Sequence, residues 1–171
     1  MQRELISIPK ILLYIAFTVF LFVFQTSILG AHPLFGYHLD LLPAAVAAAA
    51  LLDGPVEGAA VGFTAGLLYD VGLIGVDGLY PIYFLLFGLA GGAFSRLALA
   101  GGFLSMVLMN AVEMLLFGML RYFVQLMPQG ASVLHRTVGG TLIACVLCAL
   151  VYLPMRRISR RFSRDDRWFF R

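Results

Sequence analysis

Hydrophobic positions in this chain neither alternate nor recur as a narrow stripe; they fill long runs, broken by short clusters of glycine, proline and charge. A helix needs about 20 mostly apolar residues to cross a hydrocarbon core roughly 30 Å thick. The first run extends from about Pro9 to Leu29, opened by a proline where its missing N–H is tolerated, and Gly30-Ala31-His32-Pro33-Leu34-Phe35-Gly36 breaks it. The second, about Leu39 to Leu52, is short and Ala-rich, so it is expected to pack against protein more than lipid. It stops at Asp53-Gly54-Pro55, where Gly54 as N-cap, Pro55 at N1 and Glu57 at N3 start a third helix reaching Asp70 or Val71. A glycine-rich loop, Gly72 to Gly78, leads to a fourth run from about Leu79 to Leu97. Beyond the turn Ala100-Gly101-Gly102 a fifth covers roughly Gly102 to Val124. After the polar connection Gln125 to Ser132, a sixth runs from about Val133 to Leu153, and Pro154 is expected to end it. The pattern predicts an all-α, polytopic membrane protein: six transmembrane helices over residues 1–155 and a basic cytoplasmic tail over 156–171. No repeat or linker divides it.

Composition strengthens this reading. Of 171 residues, 61% are hydrophobic and 12% charged, against roughly 45–50% and about 25% in soluble domains. The abundance of Gly (18) and Phe (15) suits helices that pack closely while offering bulky side chains to lipid. The N-terminal apolar run is longer than the 7–15 residues of a cleavable signal core, so it reads as a retained first helix. Charge then sets orientation. With the N-terminus inside, Arg3, Lys10, Arg96 and the seven arginines after Leu153 are cytoplasmic, ten basic residues against Arg121 and Arg136 outside. Both termini are therefore expected in the cytoplasm. The tail alternates basic and large apolar residues from Arg156 to Arg171, which suits an anionic membrane surface. Nucleic-acid binding is not supported, since no basic globular face exists.

Function has few chemical footholds. Gly54, Gly58, Gly62 and Gly66 recur every fourth residue, with Asp70 at the same interval, so they lie along one helical ridge. Glycine on such a ridge lets another backbone approach closely, within the chain or between subunits. Asp70 should sit about 24 Å beyond Gly54, near the outer end of its span. Asp40 starts the second span on that same side, where a carboxylate can cap the helix, meet a neighbouring helix or bind a partner. Gln25, His135 and Arg136 also lie toward that side. Glu113, with Asn110 one turn earlier, falls near mid-membrane; a carboxyl there is either functional or a paired group that stabilises the bundle. Cys145 and Cys148 spell C-x-x-C, but within an apolar helix they read as small packing residues. His32, His38 and His135 show no metal spacing, and there is no nucleophile–base set or phosphate loop. Neither a cofactor nor an enzyme activity is expected.

One resemblance emerges from these residues. The run Leu39-Asp40-Leu41-Leu42, then Gly58-x-x-x-Gly62-Phe63-x-x-Gly66-Leu67-Leu68-x-Asp70, then Gly78 before an aromatic-rich span, resembles the bacterial rod shape-determining protein MreD family. Gln25 matches a glutamine that the family carries near the end of its first span. The family commonly has proline just before the aspartate, where this chain has Leu39. The resemblance implies a non-enzymatic scaffold of the cell-elongation (rod shape, peptidoglycan synthesis) machinery in the bacterial inner membrane. Its direct partner would be the bitopic protein MreC, with MreB, RodA and a penicillin-binding transpeptidase in the wider complex, and a homodimer is compatible with it. It also implies the six-helix architecture of the substrate-binding subunits of energy-coupling-factor transporters, although shared fold does not transfer function. On this reading Gln25, Asp40, Gly58, Gly62, Gly66 and Asp70 are the candidate partner interface. The alternative is a small-molecule binding or transport subunit, with Asn110 and Glu113 lining a cavity.

Overall fold

The computed structural model describes residues 8–29, 40–72, 78–98, 103–124 and 148–161. Among these residues there is no strand. Helix α1 (Ile8–Phe24) continues into a π-helical turn (Gln25–Leu29) and is followed by α2 (Leu42–Asp53), α3 (Pro55–Gly72), α4 (Leu79–Ala98), α5 (Phe103–Val124) and α6 over 148–161. Two segments, Ile8–Ser27 and Phe103–Leu120, are long and apolar enough to cross a membrane. The start of the second run at Leu39, the loop at 73–77, the first part of the sixth run and the end of the tail lie outside the described residues. So do Arg3, Arg136, Cys145 and the three histidines.

The Ala-rich helix α2 is the centre of the bundle. Every residue from Leu42 to Leu51 is buried, and α1, α3, α4 and α5 all pack on it. At 12 residues it is about 18 Å long, and its small side chains let four neighbours surround it without a cavity-forming bulge. A single residue joins it to α3. Gly54 has φ 105°, a backbone that other residues rarely adopt; its N–H donates to Ala50 O at 3.1 Å, and its own carbonyl receives Gly58 N at 3.0 Å. Pro55 then occupies the first helical position, as its spacing from Asp53 predicts.

The tightest packing is between α3 and α4. A Cβ on Gly58 would come within 2.7 Å of Gly88 O, one on Gly62 within 2.1 Å of Phe84 O, and one on Gly66 within 2.3 Å of Pro81 Cα. A Cβ on Gly92 would meet Pro55 N at 2.4 Å. Each step of four residues up α3 is a step of three or four back down α4, so the helices run antiparallel with backbones in contact. The glycine ridge therefore packs within the chain. Helix α4 contributes the reciprocal small positions Gly88 and Gly92, and Ser95 adds a hydrogen bond from its hydroxyl to Ala50 O on α2 at 3.3 Å.

One predicted boundary needs correction. Pro154 does not end the sixth helix, which continues to residue 161, so the division at 155–156 falls inside a helix. A proline inside a helix removes one N–H and crowds the preceding turn. Here the residues beyond it are held by tertiary contacts: Met155 is fully buried, and Ser159 donates to Asp53 Oδ1 at 2.7 Å. Packing thus overrides the local stop signal.

Candidate functional site

The side chains proposed for an outer polar surface form two intramolecular clamps. Gln25 lies in the π-helical turn, which shifts its side chain relative to the face α1 buries. Its Nε2 donates to Asp40 Oδ1 at 3.0 Å, and its Oε1 accepts Leu41 N at 2.8 Å. Leu41 is the N-cap of α2 and makes no side-chain cap; its own N–H, which has no partner within the helix, is satisfied by the amide oxygen of Gln25. Asp40 is thus a neighbour-helix contact and not the cap itself. The second clamp joins the last turn of α3 to the residue that precedes α4: Gly78 N donates to Asp70 Oδ2 at 2.7 Å. Gly78 has φ 84° and its carbonyl receives Ile82 N, so it turns the chain into α4. Gly58, Gly62 and Gly66, the remaining interface candidates, are covered by α4. All six candidates contact another part of the same chain, and the ridge is not an open surface.

A polar site that the sequence reading did not single out lies at the opposite end of the bundle. Asp53, with a side chain 5% exposed, pairs with Lys10 Nζ at 2.5 Å. Its Oδ1 also accepts from Ser159 Oγ, and its Oδ2 accepts from the Tyr14 hydroxyl. That hydroxyl is also 3.4 Å from Met155 O. One carboxylate therefore ties α1, α2 and α6 together with charge-assisted hydrogen bonds. A signal is present in the sequence: Lys10 lies near the start of the first apolar run and Asp53 at the end of the second, so antiparallel packing of the two brings their opposite charges to one end of the bundle.

Asn110 and Glu113 both have fully buried side chains, on the face of α5 that also buries Met106, Met114 and Phe117. Phe117, one turn beyond Glu113, packs against Tyr69, Tyr80, Tyr83 and Phe84 with ring centroids 5.1–5.8 Å apart. The Tyr83 hydroxyl donates to the backbone carbonyl of Glu113 at 2.9 Å, leaving the carboxyl itself aside. Neither carboxyl oxygen of Glu113 has a hydrogen-bond partner among the described residues. A buried polar group in that condition lowers stability.

Cys148 is fully buried in the apolar core. Among the described residues no three His, Cys, Asp or Glu side chains come together in a group that could hold a metal ion. No family model, no curated protein and no solved structure matches this chain.

Proposed function

We propose that the chain is a non-enzymatic scaffold of the MreD type, with six spans and both termini in the bacterial cytoplasm, that binds the transmembrane helix of MreC through exposed helix faces. The observation that carries this reading is the row Leu104, Leu108, Val112, Leu115 and Met119 along α5, large apolar side chains exposed at spacings of three and four residues. That spacing is one helix-length stripe, the kind of face another helix can lie against. The family assignment rests on the motif residues, and their placement supports a shared architecture: Gln25 with Asp40, the glycine ridge, and Asp70 with Gly78 each hold elements of the bundle together. The partner surface therefore moves from those residues to the outward faces.

The test is site-specific photocrosslinking in native membranes. Probes at Leu108, Val112 and Leu115 should capture MreC, while one at the comparably exposed Phe63 on α3 should not. Capture at Phe63 and at none of the α5 positions would overturn the assignment of the face; capture at none of the four would count against the partner. Gly62→Leu should also reduce MreC co-purification, but through loss of folded protein, visible as a lower melting temperature of the variant alone.

A second reading, a small-molecule binding or transport subunit, is favoured by one observation: the buried carboxyl of Glu113 without a hydrogen-bond partner among the described residues. Under it, a panel of vitamins and lipid precursors should contain a compound that raises the melting temperature of the purified protein, with the effect lost in Glu113→Gln. An unresponsive panel counts against this reading.

A further inference from the structure

The described end of α6 has a composition gradient along one face. At about 100° per residue, Leu150, Leu153, Arg157, Arg160 and Arg161 fall within an arc of roughly 100°. All five are exposed. The opposite arc carries the buried Val151 and Met155 and the hydroxyl of Ser159 that donates to Asp53. Rotation of the helix is thus set by its buried side, and the outward arc changes from leucine to arginine over the single turn between Leu153 and Arg157, about 6 Å. At the edge of the arc the Arg156 guanidinium lies 5.6 Å from the centre of the Tyr152 ring, and that ring lies tilted against Phe103 of α5, with centroids 5.8 Å apart. Aromatic rings and arginines at one level, with leucines on one side of it, match the order of headgroup and acyl chain in a phospholipid.

We propose that this face of α6 binds an anionic membrane phospholipid, with Arg157, Arg160 and Arg161 on the headgroup phosphate and Leu150 and Leu153 along its acyl chains. The inference rests on the chain being embedded in a membrane, and is independent of which protein partner it has. Guanidinium groups pair with phosphate through two parallel N–H donors, and a fixed helix presents three of them without the ordering that a loop would require. Asp53, the carboxylate to which the buried side of α6 is tied through Ser159, is already bound by Lys10 and Tyr14 as well, and its charge is taken up there. Each arginine near an anionic surface contributes roughly a fivefold gain in binding at low salt.

The experiment uses the full chain, solubilised in mixed micelles of phosphatidylglycerol and phosphatidylcholine at one to four, then washed and assayed for co-purified lipid. Phosphatidylglycerol should be enriched several-fold over the input ratio, and Arg157→Gln/Arg160→Gln/Arg161→Gln should return it to that ratio. Four tail arginines remain in this variant, so orientation is retained, and its melting temperature in phosphatidylcholine alone should match the parent. In the unaltered chain, 1 M NaCl should abolish the enrichment, which gives a readout that needs no variant. Enrichment unchanged in the triple variant, or persisting at 1 M NaCl, would overturn the proposal. So would displacement of phosphatidylglycerol by 50 mM inorganic phosphate at constant ionic strength, which would make the arginines a soluble-anion site. Release of the chain from membranes by alkaline carbonate would instead refute the membrane reading, a failure distinct from an embedded chain without lipid preference.

Discussion

Asp53 and Glu113 are both buried carboxyls, yet the structure surrounds them in opposite ways. Asp53 lies at the junction of α2 and α3, where Lys10, Tyr14 and Ser159 arrive from two other helices. Glu113 lies midway along α5, fully buried, with both oxygens lacking hydrogen-bond partners among the described residues. The difference follows from position. A carboxylate at a helix end meets other helix ends, where long polar side chains can reach it; one in mid-helix lies on a buried face, here the one that α5 shares among Glu113, Met106, Met114 and Phe117. Asp53 is therefore part of what holds the bundle together. Glu113 instead buries two carboxyl oxygens that have no hydrogen-bond partner among the described residues, which lowers stability.

Substitutions separate the two roles. The largest effect should come from Asp53→Ala, which leaves the part-buried Lys10 without its counter-charge and frees α6: a loss of about 3 kcal/mol, read by denaturation in detergent. The contrast would break if Glu113→Leu lost as much. Instead, replacing that carboxyl by an apolar group of similar size should stabilise by about 1–2 kcal/mol in the same assay, because no hydrogen bond to a described residue is given up. Tyr14→Phe removes one hydroxyl bound to Asp53 and should lower stability by about 1 kcal/mol, and combined with Ser159→Ala the losses should be less than additive, since both act on one carboxylate. The smallest change belongs to Glu113→Gln, within roughly 0.5 kcal/mol by the same measurement. Under the proposed scaffold function, any loss in that variant scored as cell shape in a complementation assay would then be separable from folding.

Much of the helical layout was legible because it is written locally. The Gly54-Pro55 start of α3, the extents of α4 and α5, and the buried character of the Ala-rich α2 all follow from caps, breakers and side-chain size. Pro154 shows the limit of that logic. Its local signal is a stop, but Met155 and Ser159 are held by residues more than 100 positions earlier in the chain, and the helix continues. The glycine ridge shows a different limit. Spacing revealed a close-packed face, but not that the approaching backbone belongs to α4; the matching positions Gly88 and Gly92 were visible in the sequence, and only the antiparallel register joins them to Gly58 and Pro55.

What the sequence determined by itself was the helical, apolar character of the chain, the face on which its glycines lie and the excess of arginine at one end. Hydrogen bonds within a helix and the transfer of side chains out of water depend on near neighbours, so they can be read from a run of residues. The tertiary structure alone decided that Gln25 would hold the start of α2, that Asp53 would join three helices and that the Glu113 carboxyl would meet no hydrogen-bond partner among the described residues. Those outcomes depend on which helix ends and faces meet, and residues 15 to 141 positions apart come together only through packing of the whole bundle.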